Sequence, residues 1–571
     1  MAVFETRDRT GGALSLPWPL KRAGLSGAGL MLGLLLLFLL LFLVAPLYLV
    51  LQRSLQDEAG AFVGLANYAA YFSGRSAQRV IGNTLLVATV STVLTVGLAL
   101  LFAFALSRTC MPFKGVFRGI ALLPLLTPSL LSAMALTQLF GNQGYLRNLM
   151  FGESIYGPIG IVVGMTIAHF PHVFIILSAA IALSDQRLYE AARALRAGPV
   201  RIFRTVTLPS IKYGLISSVI VSFTLCLTDF GIPKVIGGQY DLLATEIYKQ
   251  VVGQQNFQVG AVVSILLLAP AVVAFVLDRA ARRRQASALT SKSVPFAPEP
   301  RPLVDRMAFG YCALIAIALL AVIAVPGYAS FIKFWPYNLD LTLRNYQFDR
   351  VAGDGWQSYF NSLKLALLTA VIGTSVIFVG AYLTEKSRAG HWLRSTYQMV
   401  SIFPMAVPGL VLGLAYIFFI NDPANPLEIL YGTFAILVIS TIVHYYTVSH
   451  LTAVTALRQL DDEFEQVSDS LKAARHRLFF RVTVPICLPA ILDISMYLFL
   501  SAMTTVSAAV FLYSHDTSLA AIAVINMDDA GEYAAASAMA IVIVVTCLAA
   551  RLVHLAATRG MARRARAWMQ Q

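Results

Sequence analysis

Short motifs in the first half of the chain recur in the second half at an almost constant distance. The offset between equivalent residues stays between 276 and 280 positions. A constant offset across this much chain predicts two copies of one folding unit, each about half of the protein. The function must therefore be one that two similar halves perform together. The repeated landmarks are Asn67-Tyr68 with Asn345-Tyr346, Asn83-Thr84 with Asn361-Ser362, Pro124 and Pro128 with Pro404 and Pro408, and Leu208-Pro209 with Val484-Pro485.

The composition indicates a lipid environment for most of the chain. Of 571 residues, 58% are hydrophobic and 13% are charged, whereas a soluble domain usually has about 25% charged residues. Apolar runs of roughly 17–25 residues are long enough to cross a bilayer as helices. We therefore predict an all-α polytopic membrane protein with about 12 transmembrane helices, six in each half. The expected spans are 27–51, 83–107, 117–140, 158–184, 211–232, 259–279, 308–332, 361–385, 396–420, 430–455, 486–512 and 534–556.

The even number of spans in each half gives both halves the same orientation. The two repeats are therefore predicted to be parallel rather than inverted. Lys and Arg are concentrated in segments that face the cytoplasm when both termini are cytoplasmic, which favours this orientation. The net charge of +14 then belongs to many short loops beside the bilayer. Because this charge is not gathered on one face, nucleic acid is not expected as a partner.

We expect five segments along the chain. A basic linker that contains Ser and Pro separates the two six-helix units, and a tail lies at each end. The predicted segments are a cytoplasmic N-terminal tail (1–26), a first repeat (27–279), a cytoplasmic linker (280–306), a second repeat (307–556) and a cytoplasmic C-terminal tail (557–571).

No sequence pattern for catalysis or for metal binding is present. The five cysteines are scattered and the eight histidines form no ligand cluster, so neither a metal site nor a disulfide framework is predicted. A Gly-x-x-x-x-Gly-Lys-Ser/Thr loop is also missing, so any nucleotide must be bound elsewhere. We therefore expect no enzyme activity and no cofactor on this chain.

Each half has one long loop, between its fourth and fifth spans, which is predicted to be cytoplasmic. In the first loop, Asp185 can cap a helix start. Leu188, Ala192 and Leu195 then share one face by helical spacing, and Gly198 is expected to stop this helix. A second helix is expected to return to the membrane. Such a short amphipathic helix at the membrane surface is a docking element.

The second loop begins at Asp461 and ends at Pro485. Its leading acidic residues, among them Glu465, suit a helix N-terminus. The loop has the same position in its half as the first loop, so we expect the same shape.

The two loops resemble the signature of permeases of binding-protein-dependent ABC importers. That pattern reads Glu-Ala-Ala, three residues, Gly, nine residues, Ile, one residue, Leu-Pro. Arg196 takes the place of its Gly in the first loop, and Gly198 lies two residues later; the second loop matches mainly by register. The matching positions are Glu190-Ala191-Ala192 and Leu208-Pro209 in the first loop, and Gln466, Lys472 and Val484-Pro485 in the second.

The resemblance covers both halves and implies a fused permease with the fold of a type I ABC importer. It implies that the loops are coupling helices for two ATPase subunits, which would bind ATP and Mg, and that a periplasmic binding protein delivers a small solute. It also implies a bacterial inner membrane location. Glu190 can offer a charge to a partner arginine; an ordinary solvated loop is the alternative.

Candidate residues of the substrate path follow the fifth span of each half. Asp229 and Lys234 lie in TDFGIPKVIGG, and Thr505 and Ser507 lie at the matching place. A charge at the edge of a span is costly, which suggests a function; the alternative is that both charges reach interfacial water. Both stretches resemble fused permeases for 2-aminoethylphosphonate and for ferric iron, and the first of these is preferred. Asp528, Asp529 and Glu532 are expected in an external loop.

Two other classes of protein remain as alternatives. A secondary transporter of the major facilitator type also has six plus six spans in parallel repeat. That family places its signature between the second and third spans of each half, where the loops here, 108–116 and 386–395, are short. A membrane scaffold is the third interpretation.

Overall fold

The computed structural model describes residues 27–569, except 289–293, 295, 352–354, 388–389 and 462. The expected tail 1–26 lies outside the described residues. Most of the described chain is helical and it has two short strands, which confirms the all-α prediction. The spans of the first half, numbered 1–6, are Gly27–Ser54, Ser76–Arg108, the bent pair Lys114–Leu126 and Ser129–Phe140, Pro158–Ala182, Pro199–Thr228 and Phe257–Ala281. The spans of the second half, numbered 7–12, are Pro302–Ala329, Trp356–Lys386, the bent pair His391–Ala406 and Gly409–Ile420, the bent pair Phe434–His444 and Tyr446–Arg458, Arg475–Met503 and Tyr533–Thr558.

The shorter elements lie between these spans. Two short strands, Ile332–Phe334 and Asn338–Leu341, form an antiparallel hairpin after span 7. The short α-helices are Ala66–Ser73, Gln186–Ala194, Gly231–Ile236, Leu243–Tyr248, Glu463–Ser470 and Ala520–Asp529, and a π-helical turn covers Lys249–Gly253. The 3₁₀ turns outside the spans are Arg147–Met150, Arg344–Tyr346, Phe348–Arg350, Pro426–Leu430, Ala509–Phe511 and His515–Thr517.

The third span of each half is a broken helix. Span 3 bends by 102° and span 9 by 112° within the predicted spans 117–140 and 396–420. The bends fall at Pro128 and Pro408, both with ψ 141°. Proline lacks a backbone N–H and forces the residue before it out of the helical region. The repeated prolines therefore mark a corner in each half.

Span 10 has a further bend that span 4 lacks. Its two helices meet at Tyr445 with an angle of 55°, whereas Pro158–Ala182 is one helix. The two halves therefore share a plan but differ in the middle of this span.

The repeated Asn-Tyr pair holds the chain after the first span of each half. The Asn67 side-chain amide donates to the carbonyls of Ser54 and Gln56, at 3.1 and 2.8 Å. The Asn345 amide does the same to Ser330 and Ile332, at 3.0 and 2.7 Å. Each following tyrosine reaches the hydroxyl of the same serine, at 2.9 Å. These motifs are conformational anchors, which explains their recurrence.

The second repeated pair holds the segment that follows the fifth span. Thr84 Oγ1 accepts from the Leu243 amide at 2.9 Å, and Ser362 Oγ accepts from the Ala520 amide at 2.8 Å. Each contact lies at the start of a short helix, where backbone amides have no helical partner. The start of the second span thus fixes the same short helix in both halves.

The first span of each half packs against the other half. In span 1, the carbonyl of Phe42 accepts from the hydroxyl of Tyr416 at 2.6 Å. In span 7, the Tyr311 hydroxyl donates to the Leu98 carbonyl at 2.8 Å. One continuous buried cluster contains side chains from both repeats. The halves therefore form a single packed body.

The ends of the expected linker and tail are helical. The helix of span 6 continues to Ala288, and the helix of span 7 begins at Pro302. The last helix continues to Met569. Helix thus covers both ends of the predicted linker 280–306.

Candidate functional site

The loop between spans 4 and 5 has the expected helical shape. Its helix, Gln186–Ala194 (the first loop helix), starts where the Asp185 carboxylate accepts from the Arg187 amide at 3.0 Å. The helix does not end at Gly198 as predicted, because Gly198 has φ −69° and is the residue before the next helix. Arg196, with φ 54°, supplies the left-handed residue that ends the helix. Glycine favours this conformation, which explains the family pattern at this position.

The second loop has the same construction, 276 residues later. The second loop helix is Glu463–Ser470, and the Asp461 carboxylate accepts from the Glu463 amide at 3.1 Å. Lys472 ends this helix with φ 51°. The Ala473 amide donates to the Ser468 carbonyl at 2.9 Å, as the Ala197 amide does to Ala192 at 3.0 Å. Two different sequences thus give one loop shape.

Both loop helices expose an apolar face. Leu188 and Leu195 are 51% and 82% exposed, whereas Ala192, which the helical spacing predicts on the same face, is buried. Tyr189 and Ala192 form the buried face. The equivalents in the second loop helix are also exposed: Phe464 at 43%, Val467 at 56% and Leu471 at 75%. An exposed apolar patch repeated in both halves is typical of a protein-binding surface.

The charged signature residues differ between the two loops. Glu190 is exposed and accepts from the Gln186 side chain at 3.0 Å. Gln466 holds the equivalent exposed place and carries no charge. The neighbouring Glu465 turns inward to Lys386, at 3.6 Å. Leu208-Pro209 and Val484-Pro485 lie within the continuous helices that return from the loops into spans 5 and 11.

Asp229 lies at the point where the helix of span 5 ends. Its ψ of 130° breaks the helix, so the predicted end at residue 232 is wrong. Asp229 Oδ2 lies 3.2 Å from His169 Nε2, and these side chains are 5% and 9% exposed. Sequence reasoning missed His169, because one histidine in an apolar helix gives no spacing signal. Buried polar pairs within the spans of a membrane protein often mark a functional pathway.

The second half has a neutral pair at the same place. Tyr445 lies 276 residues after His169, and Thr505 lies 276 residues after Asp229. The Tyr445 and Thr505 side chains lie close enough to interact. Thr505 is buried and follows the end of the helix in span 11 at Met503, before the predicted end at residue 512. The geometry is thus repeated while the charge is present on one side only.

Ser507 packs against the corner of span 9. A Cβ atom at Gly409 would overlap the Ser507 hydroxyl and lie 3.0 Å from its Cβ. The first half makes the same contact with the residue types exchanged, because a Cβ atom at Gly231 would lie 2.6 Å from Ser129 Oγ. In each half, one glycine therefore makes room for one serine at the proline corner.

The segments after spans 5 and 11 meet residues of the opposite half. Lys234 Nζ lies 3.0 Å from Asp529 Oδ2, and the rings of Tyr248 and Phe511 are 6.2 Å apart. The four candidate path residues thus belong to two segments that flank the boundary between the halves.

The predicted external acidic loop is partly helical. Asp528 and Asp529 are the last residues of the helix Ala520–Asp529, and Glu532 follows a turn. Burial, followed by the charge of Asp529, raises the pKa of Asp528 from 3.8 to about 7. Among the described residues, no three His, Cys, Asp or Glu side chains are placed to hold a metal ion.

Comparison with known proteins assigns the family. A family model described as "Binding-protein-dependent transport system inner membrane component" matches residues 95–287 and 376–563. The two matches together cover more than half of the chain, one in each repeat. The chain belongs to this family. The prediction of a fused ABC permease with two halves in one chain is thereby confirmed, and the major facilitator alternative finds no support.

Three relatives are similar over most of their length. The ferric transport system permease protein FbpB of Actinobacillus pleuropneumoniae is 30% identical, over 82% of this chain and 70% of the relative. The putative ferric transport system permease protein FbpB 1 of Haemophilus influenzae is 29% identical, over 73% and 67%. The Fe(3+)-transport system permease protein FbpB 2 of the same species is 26% identical, over 83% and 88%.

Proposed function

We propose that this permease is the membrane-spanning subunit of an ATP-driven importer that moves ferric iron across a bacterial inner membrane. The names of the three relatives described above support iron as the cargo. None of these names mentions a phosphonate, so 2-aminoethylphosphonate stays an untested prediction. Both halves are on one chain, so this importer needs no second permease subunit.

Two ATPase subunits dock at the two loop helices. The observation that carries this proposal is the pair of exposed apolar faces, Leu188 with Leu195 and Phe464 with Leu471, at equivalent positions. A short helix closed by a left-handed residue and continued into a long span can move as one solid body. Closure of the ATPases on ATP and Mg, which they bind, then moves spans 5 and 11 together. The permease itself holds no cofactor and hydrolyses no ATP.

The orientation follows from the same assignment. The loop helices lie in the cytoplasm, and so do both termini. The surface that carries the hairpin Ile332–Phe334 and Asn338–Leu341 faces the periplasm. A periplasmic binding protein docks there and releases the iron.

The path for iron lies between the segments that follow spans 5 and 11. The first segment offers Asp229 and Lys234, and the second offers Thr505 and Ser507. Carboxylate and hydroxyl oxygens suit a hard cation, and the Asp229 carboxylate lies beside His169. When the boundary between the halves opens, Lys234 separates from Asp529. The acidic residues then become accessible from the periplasm.

Reconstitution tests this function. The permease is placed in liposomes with its ATPase subunit inside and the iron-loaded binding protein outside, and uptake of radioactive iron is followed. We expect uptake that requires ATP and the binding protein. Uptake driven by an ion gradient without the ATPase would refute the proposal, and competition by 2-aminoethylphosphonate at the binding protein would reassign the cargo.

A further inference from the structure

The linker between the two halves runs along the first loop helix. The Gln186 amide donates to the Val294 carbonyl at 2.9 Å. The Val294 amide donates to the Asp185 carboxylate at 3.3 Å, and the Ala297 amide donates to the Gln186 side-chain oxygen at 3.3 Å. We call residue 294 and residues 296–301 the linker strap. These hydrogen bonds fix the strap to the start of the helix.

An aromatic contact holds the middle of the strap. The Phe296 ring lies 5.0 Å from the Tyr189 ring, on the buried face of the helix. The Arg108 guanidinium lies 4.0 Å from the centre of the Phe296 ring and 4.6 Å from that of Tyr189. Arg108 also donates to the Tyr189 hydroxyl at 3.1 Å. A cation between two rings is attracted by both, so Phe296 joins the loop helix to the end of span 2.

The end of the strap is tied at two further places. Arg193 of the first loop helix forms an ion pair with Glu299. Asp305 accepts from the Arg301 amide at 3.0 Å and from the Cys110 amide at 2.8 Å. The helix, the strap and the short loop after span 2 thus form one connected unit.

The strap leaves the apolar docking face open. Its contacts are made by Asp185, Gln186, Tyr189 and Arg193 of the first loop. Leu188 and Leu195 remain largely exposed. The strap therefore supports the helix without covering the surface that an ATPase would bind.

The second loop helix is supported differently. Within the described chain, its inward contact is made by Lys386 of its own half, at 3.6 Å from Glu465. Lys386 also donates to the Leu460 carbonyl at 2.9 Å. Among the described residues, no hydrogen bond, ion pair or ring contact that the structure shows joins the second loop helix to the linker strap. The two loops are alike in shape but not in what holds them.

We propose that the linker strap is a positioning element for one of the two ATPase docking sites. It sets the orientation of the first loop helix against span 2, so the ATPase subunit at this site binds a better supported surface than the ATPase subunit at the second site. This inference rests on the proposed docking of ATPase subunits. It gives the linker a function in coupling beyond joining the halves.

Site-specific photo-cross-linking can test the two docking sites separately. A photoreactive amino acid replaces Leu195 or Leu471, which are equivalent and exposed, and the importer's own ATPase subunit is the probe. The strap is altered by Phe296→Ala, or by replacing residues 296–300 with a Gly/Ser sequence of equal length. We expect cross-linking at position 195 to fall about fivefold, the equivalent of about 1 kcal/mol. Cross-linking at position 471 stays unchanged.

Matched variants separate positioning from general damage. Phe296→Leu keeps much of the apolar contact and restores part of the signal at position 195. Arg193→Glu lowers that signal slightly, because a partly exposed ion pair contributes little, and adding Glu299→Arg restores it. An unchanged signal at position 195 in the Gly/Ser variant, or an equal loss at both positions, overturns the inference. If the permease with an unaltered strap gives no cross-link to the ATPase subunit at either position, the proposed ATPase docking itself is overturned.

Discussion

The exchanged glycine and serine at the two proline corners predict a rescue within the second half. Gly409→Ala places a methyl group against the hydroxyl and the Cβ of Ser507. Overpacking of this kind costs about 1–3 kcal/mol. Ser507→Gly removes both clashing atoms and leaves only the Ala508 amide nitrogen at 3.3 Å. The double variant is therefore expected to regain most of the stability that Gly409→Ala loses.

The magnitude can be checked by a double-mutant cycle. Ser507→Gly alone leaves a small void and adds backbone freedom, which costs about 1 kcal/mol. We expect a favourable coupling energy of about 1–2 kcal/mol between the two sites. The assay is the melting temperature of the detergent-solubilised permease, followed by size-exclusion chromatography after heating, with iron uptake as the functional measure.

A neighbouring glycine provides the control. A Cβ atom at Gly413 would lie 2.7 Å from the backbone carbonyl oxygen of Ala508. Ser507→Gly cannot relieve that clash, so Gly413→Ala is expected to be equally harmful in both backgrounds. Rescue of Gly413→Ala, or failure to rescue Gly409→Ala, would refute the packing argument.

Four further predictions concern other positions of the structure. Glu190→Arg is expected to lower ATP-driven uptake about tenfold while the permease stays inserted in the membrane. Gln466→Arg is expected to lower uptake less, because the charge is already missing there. Equal losses of uptake in the two variants would contradict the difference between the two docking sites. Asp229→Ala removes the polar partner of the buried His169, so the melting temperature is expected to fall by the equivalent of about 1–3 kcal/mol. The pKa of Asp528 is raised to about 7 in the folded state, so the unfolded chain ionises at lower pH than the folded chain. The folded state therefore loses stability as the pH rises from about 4 to 7. Asp528→Asn should abolish this loss, which melting curves at pH 5 and pH 8 would show. Arg196→Gly is expected to relieve about 1 kcal/mol of left-handed backbone strain and to slow hydrogen exchange at the Ala197 amide.

The sequence predicted the repeat, the number of spans and the two loops, because these depend on local hydrophobicity and on spacing. The sequence also showed that the Asn-Tyr and Pro motifs recur in both halves, but it did not show what these residues do. The anchoring hydrogen bonds of Asn67 and Asn345 join residues 11–15 positions apart, and the prolines turn a helix by more than 100°. Neither effect can be read from periodicity.

Two of the missed features depend on contacts between distant parts of the chain. His169 acquires meaning only when folding brings it to Asp229, and Phe296 only when the linker folds back onto Tyr189. The position of the helix stop was missed for another reason. Gly198 has the residue type that a stop requires, but Arg196 holds the left-handed conformation, because the loop geometry overrides the preference of the side chain.

The features that the two halves share differ in kind from the features that distinguish them. The shared features are the Asn-Tyr anchors, the proline corners and the left-handed residues that end the loop helices, and all of them determine the course of the backbone. Among the features that differ are polar side chains near the boundary between the halves: Asp229 is replaced by Thr505, His169 by Tyr445 and Lys234 by Val510. Two identical subunits would place every charge twice around a shared path, and charges within a membrane are costly. In the path that we propose, fusion of the halves lets Asp229 stand opposite the uncharged Thr505, while Lys234 pairs with Asp529 of the second half, so a cation meets the Asp229 carboxylate on one side only.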